Sequence, residues 1–463
     1  MAGRVLREIK ERVRDLQLQK AKQRLLMDSV GGHQPLRHVR EGRLRQPLDH
    51  FNRRRVGTFA QRFFVNEAYW QRPDGPVFLF IGGEGPIYKF DVLAGHHVDM
   101  AGEHGALLLA VEHRFYGDSI NPDGLETENL ADLSSQQALV SGPCRFQSFN
   151  LSCRNIWISF GGSYSGALSA WFRGKFPHLV YAAVASSAPV KAKLDFSAYN
   201  DTLHRCVKLT LGLFLQCLAA VRDAFSTVEA ALMGGNTSQV AADFGCCQIP
   251  KDPDDQVTAL IFLCVCLFVC LHVCVCVCVQ IYRSTNEEPC LEVSHEKAVK
   301  DLMDTSLRSG RRAARQWTYQ TCTEFGFYQT CEDATCPFSG MLTLQDDTQL
   351  CPLLFGISQH SLPARVAFTN AYYGGAKAHT HRVLYINGGI DPWQELSVVS
   401  DKTLAEDGEA GTIFIEDTAH CADMMSRRVT DRCSLKKARK EIEKHVAGWL
   451  KTAAQEKMEK RGG

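Results

Sequence analysis

The chain lacks a surplus of either charge. Its 463 residues carry 52 Lys and Arg against 51 Asp and Glu, a formal net charge of +1. Such a balance offers no electrostatic case for a nucleic-acid partner. Glycine and proline, at 36 and 16 residues, are too few for a collagen-like or low-complexity chain. With 45% hydrophobic and 22% charged residues, neither disorder nor a coiled coil describes the whole. No internal repeat is visible, which excludes a solenoid or propeller. The first residues contain no apolar h-region of a signal peptide. Instead Val5, Ile9, Val13 and Leu16 recur at helical spacing, predicting an amphipathic helix over 4–26. Glu8, Glu11 and Asp15 interrupt its basic side, so it reads as a solvated face rather than a membrane binder.

Cysteine is what the chain has in excess. Of 19 cysteines, six lie in one apolar run, from Cys264 to Cys278, and the other 13 are scattered. The scattered ones lack paired C-x-x-C spacings, so no structural zinc site is expected. They fit a secreted or lysosomal protein with several disulfides, whose pairing spacing does not reveal. Three N-x-S/T sequons, at Asn150, Asn200 and Asn236, agree with glycosylation in that compartment. The run from Val257 to Val279 is long enough to cross a bilayer. Its Val-Cys alternation from Val273 to Val279 is what a GTG-TGT dinucleotide repeat encodes. It therefore reads as low complexity of genomic origin, and no membrane span is expected.

Apolar runs mark the fold. Residues 76–81, 106–112, 156–160 and 180–185 are continuous apolar stretches, two of them ending at glycine pairs. Buried strands of a parallel sheet look like this. Helical stretches such as 166–176 separate several of them, arguing α/β architecture. The strand signal returns at 382–386 and 412–415, and 441–450 reads as a closing helix. Between lies a cysteine-rich insertion of ~170 residues, a common place for a cap over a site. Within it, 193–230 and 296–320 read as broken helices.

The decisive segment is Gly161-Gly162-Ser163-Tyr164-Ser165-Gly166, between an apolar strand and a helix. That is the setting of a nucleophile elbow, G-x-S-x-G with Ser165 in the last small position. A sharp strand-to-helix turn projects the Ser163 hydroxyl, and the helix N-terminus favours a developing oxyanion, with the Tyr164 N–H as one donor. Ser165 is the alternative nucleophile, but it lacks a glycine two positions before it. A serine needs a histidine to take its proton and an acid to orient that histidine. In elbow enzymes the order is Ser, Asp, His. Asp391 follows the 382–386 strand and His420 follows the 412–415 strand, so both fall at the rim that carries Ser163. His113 is the rival histidine, and Asp417 and Asp423 are weaker candidates for the acid.

With these residues in place, the chain resembles the prolyl-carboxypeptidase and dipeptidyl peptidase II family of serine peptidases, S28. The matching segments are Gly82-Gly83-Glu84-Gly85, residues 112–117, Gly161-Gly162-Ser163-Tyr164, Ser186-Ser187-Ala188-Pro189-Val190, residues 316–326, residues 387–393 and residues 419–424. The resemblance implies an α/β-hydrolase fold with an inserted, mostly helical cap. It implies the triad Ser163, Asp391 and His420, with oxyanion donors at Tyr164 and Gly83. It also implies exopeptidase action on peptides, often beside proline, in lysosomes, endosomes or outside the cell. Substrate contacts are expected at Trp317, Glu324 and Trp393, with Glu324 holding a free N-terminal amine. No cofactor is needed. The partners expected are peptides, with a homodimer as a further expectation.

The chain departs from the family in lacking the signal peptide, in the Val257–Val279 run, and in a helix after Leu133 cut short by Ser141-Gly142-Pro143. The expected organisation is a charged leader over 1–45, hydrolase parts over 46–192 and 366–452, a cap over 193–365 containing the run at 257–282, and a tail over 453–463. The rival readings are an esterase or lipase on the same fold and a peptide-binding protein with a decayed site.

Overall fold

The computed structural model describes residues 39–52, 54, 56–140, 151, 155–200, 214–260, 289–307, 313–333, 336–377, 381–400 and 410–462. The predicted N-terminal helix, the Val-Cys run and the Asn150 sequon lie outside these residues. So does the stretch just after the short helix Ser135–Val140.

The chain divides into two compact units, one built from Leu18–Ala192, Thr305–Gln320 and Arg365–Gly463, the other from Lys193–Asp304 and Thr321–Ala364. The first holds an eight-stranded sheet. Its strands are β1 (Val39–Pro47), β2 (Thr58–Asn66), β3 (Val77–Ile81), β4 (Leu107–Val111), β5 (Trp157–Gly162), β6 (Ala182–Ser186), β9 (Val383–Gly388) and β10 (Gly411–Ile415). The second contains the short parallel pair β7 (Lys193–Asp195) and β8 (Gly326–Tyr328).

The sheet runs β1-β2-β4-β3-β5-β6-β9-β10. The β1–β2 and β2–β4 pairs are antiparallel, and every pair from β4 onward is parallel. This strand order is that of the α/β-hydrolase fold. The parallel strands are buried on both faces: Phe78, Leu108, Ile158, Ala182 and Leu384 on one and Val77, Leu107, Trp157, Ala183 and Val383 on the other are all buried. That explains why they read as unbroken apolar runs. The elbow helix Tyr164–Lys175 buries nine consecutive residues from its first turn. The closing helix Cys433–Gly462 packs Leu435, Ile442, Val446 and Trp449 into the same core.

Three expectations change. Strand β1 begins at Val39, inside the span read as a leader, and its alternation of exposed and half-buried residues hides it from an apolar-run search. The residues from Lys193, read as helix, begin with the three-residue strand β7. The segment Thr305–Gln320, read as part of the cap, belongs to the unit that holds the sheet. The expected disulfides are present in the second unit as Cys247–Cys290, Cys322–Cys351 and Cys331–Cys336. Among the described residues no helix is long and apolar enough to cross a membrane.

Candidate active site

Ser163 lies between the end of β5 and the first turn of the elbow helix. Its backbone has φ 60° and ψ −131°, a region that costs a non-glycine residue about 1–3 kcal/mol. The turn is tight enough to demand glycine around it. A Cβ on Gly161 would lie 2.1 Å from the Ser165 carbonyl oxygen, and one on Gly162 would lie 2.3 Å from Met424 Sδ and 2.8 Å from Cys421 Sγ. The loop that carries His420 therefore packs directly on the elbow. Ser165 Oγ is taken up locally, donating to the Gly162 carbonyl at 2.8 Å and accepting from the Gly162 N–H at 3.0 Å. Gly83, at the end of β3, faces the same turn: a Cβ there would lie 3.3 Å from Ser165 Cβ.

Asp391 and His420 meet at the ends of β9 and β10. His420 Nδ1 stands 2.9 Å from both carboxylate oxygens of Asp391. Asp391 is fully buried and caps the short 3-10 helix Pro392–Leu396, accepting from the Trp393 N–H at 3.1 Å. The Ile390 N–H donates to the Thr418 carbonyl at 3.1 Å, which ties the acid's turn to the histidine's loop. The Trp393 indole is buried, its ring centre 6.3 Å from that of His420. Burial of the imidazole opposes its charge, but the Asp391 carboxylate and then the Cys421 thiol prevail and push its pKa up to about 10. Among the described residues His420 Nε2 is buried without a hydrogen-bond partner, so the Ser163–His420 hydrogen bond is not formed in this structure.

The rival residues are engaged elsewhere. His113 is buried, with Nδ1 2.7 Å from the Arg114 carbonyl and Nε2 3.0 Å from Tyr164 Oη. Burial pushes its pKa down to about 4, so it is a neutral structural partner of Tyr164. Asp417 accepts from Ser434 at 2.6 Å and pairs with Arg432 at 3.3 Å. Asp423 accepts from Ser186 Oγ at 2.5 Å. Burial pushes its carboxyl up to about 6.

A polar network around Tyr164 had no signal in the sequence beyond the presence of its members. Gln320 Nε2 donates to Tyr164 Oη at 3.0 Å, and Tyr116 Oη donates to Gln320 Oε1 at 2.5 Å. The half-buried Trp317 places its ring centre 5.4 Å from that of Tyr164. Tyr164 follows Ser163 directly, so the segment Thr305–Gln320 holds the residue next to the serine.

The other expected residues divide. Glu324 is buried in the π-helical turn Thr321–Phe325 of the second unit, and such turns are frequent at functional sites. Asn236 is exposed. Asn200 is a correction: it is buried and its side-chain amide donates to the Thr330 carbonyl at 2.8 Å. An amide nitrogen used in this way inside the fold is not available to a glycan.

Known proteins give an independent comparison. The pattern of the family described as serine carboxypeptidase S28 matches residues 46–273 and 269–442, and the two matches overlap inside the apolar run Val257–Val279. Thymus-specific serine protease of Mus musculus is 39% identical over 458 residues, covering 91% of this chain and 89% of that protein. The human protein of the same name is likewise 39% identical, over 455 residues covering 90% and 88%. Human lysosomal Pro-X carboxypeptidase is 26% identical over 469 residues, covering 88% and 87%.

Proposed function

Because the chain belongs to the serine carboxypeptidase S28 family, a family of serine peptidases, we propose that it is an exopeptidase that cleaves peptides through Ser163, His420 and Asp391. The observation that carries this reading is the Asp391–His420 pair, 2.9 Å apart, on a loop packed against a serine in a strained strand-to-helix turn.

The serine hydroxyl attacks the scissile carbonyl and gives its proton to His420 Nε2. That nitrogen has no competing partner among the described residues, and the hydrogen bond from Ser163 forms when substrate fills the site, as catalytic contacts in empty sites are often long. Asp391 holds the proton on Nδ1, so it is the deprotonated imidazole, whose Nε2 presents its lone pair, that acts as the base. The charge of Asp391 favours the imidazolium that forms at this step. The tetrahedral oxyanion lies between the Tyr164 N–H, at the first position of the elbow helix, and the Gly83 N–H. Loss of one such donor slows acyl transfer by about 10²–10³-fold. His420 then protonates the leaving amine, and water releases the acyl group by the reverse path.

Three disulfides suit an oxidising compartment, and we assign the enzyme to the secretory or endolysosomal pathway. A free chain terminus is the recognised feature, and Glu324 is the carboxylate that pairs with an N-terminal amine. Matched peptides with free and acetylated N-termini test this. The wild type is expected to release dipeptides from the free series at least tenfold faster. Glu324→Gln is expected to lose most of that preference while hydrolysing a small neutral ester at near the wild-type rate. Equal losses on peptide and ester would remove Glu324 from substrate recognition, and equal cleavage of free and blocked peptides would overturn the N-terminal preference.

A further inference from the structure

The two serines at the end of β6 connect the elbow to the histidine loop. Ser186 and Ser187 are both buried. The carbonyl of Ser186 accepts the Ser163 N–H at 3.0 Å, so this strand end supports the strained turn from beneath. The hydroxyl of Ser186 donates to Asp423 Oδ1 at 2.5 Å. The hydroxyl of Ser187 accepts the Cys421 N–H at 2.9 Å. Ser187 adopts φ 46°, a left-handed conformation uncommon for a residue with a side chain, and its own N–H donates to the Ile386 carbonyl at 2.7 Å.

The loop is tied down on both sides of His420. Before His420, the loop is tied to the acid's turn through Ile390 and Thr418. After it, the Cys421 N–H and the Asp423 side chain are tied to Ser187 and Ser186. The closing helix supports the same stretch: Arg439 donates to the carbonyls of Asp423 at 3.1 Å and Ala422 at 3.0 Å, and pairs with Asp431. The charged and titratable groups that act on Asp423 are thus Arg439 from the closing helix and His420 from its own loop.

We propose that Ser186, Ser187 and Asp423 form a positioning clamp that sets the separation between His420 and Ser163. The clamp rests on the triad reading above. Neither serine nor Asp423 touches the reacting atoms. Their effect runs through the loop, and a shift of about 1 Å in a catalytic base is enough to cost 10²-fold. Ser186 Oγ and Asp423 act as one unit, because removing either leaves the other buried without its partner.

The test uses a fluorophosphonate, which reads the reactivity of Ser163 without a peptide substrate. The time course separates the rate constant per site from the fraction of sites that label. Ser186→Ala and Asp423→Ala, which removes the acceptor that an asparagine would keep, are each expected to lower the rate constant at least tenfold. Labelling still reaches full stoichiometry, and KM for a peptide substrate stays within twofold of the wild type. The double variant is expected to be no slower than the slower single one. Ser187→Gly suits the left-handed backbone while removing the acceptor of the Cys421 N–H, so it keeps the test open if Asp423→Ala does not fold; it too is expected to label at least tenfold more slowly. Wild-type rate constants in the folded variants, or losses confined to the labelled fraction, would overturn the clamp. A wild-type protein that does not label would instead remove the triad reading.

Discussion

Ser163→Ala is expected to abolish fluorophosphonate labelling and to lower kcat by about 10⁶-fold, the loss seen when the nucleophile of a serine peptidase is removed. KM should change little, because the hydroxyl contributes to the transition state rather than to ground-state binding. No neighbouring hydroxyl can stand in. Ser165 Oγ is committed to both the N–H and the carbonyl of Gly162, and it sits on the helix rather than at the turn. Alanine is no easier than serine to hold at φ 60°, so the melting temperature should stay within a few degrees of the wild type. A folded Ser163→Ala protein that keeps more than about one hundredth of wild-type activity, well above the residual that oxyanion hole and binding alone sustain, would mean another nucleophile.

Asp391→Asn is the second large effect, about 10⁴-fold in kcat. Asparagine is nearly isosteric, and its carbonyl can still cap the Trp393 N–H that Asp391 Oδ1 accepts now. What changes is the side facing His420. An amide N–H pointing at Nδ1 forces the proton onto Nε2, the nitrogen that must accept from Ser163. The imidazole also loses the carboxylate that pushes its pKa up to about 10, while burial, which works in the opposite direction, remains. Its titration should therefore move to lower pH in the variant, below the ordinary histidine range. Activity across pH 4–10, together with the imidazole titration followed by NMR, checks both parts. A variant within tenfold of the wild type, or an unmoved titration, would remove Asp391 as the orienting acid.

The parts legible in the sequence share a physical cause. Strands β3 to β6 and β9 are buried strands of a parallel sheet, and burial on both faces forces continuous apolar residues. The elbow was legible because only small residues fit where Gly161 and Gly162 stand. His420 and Asp391 followed from chain order and from their places after two strands. Strands β1 and β2 were not legible, since the first alternates around exposed charges and the second carries a half-buried Arg62 paired with the buried Glu112 at 2.5 Å. Long-range polar contacts leave no periodic trace: Gln320 and Tyr164 are 156 residues apart, and Ser186 and Asp423 are 237 apart. The sequon at Asn200 is a local pattern whose meaning depends on burial, and its amide is engaged there by the Thr330 carbonyl, 130 residues away.

The most direct measurement is peptide mapping of the phosphonylated protein by mass spectrometry. The account requires one adduct per chain, on Ser163. An adduct on Ser165 or elsewhere, or a folded protein that takes up no phosphonate, would contradict it.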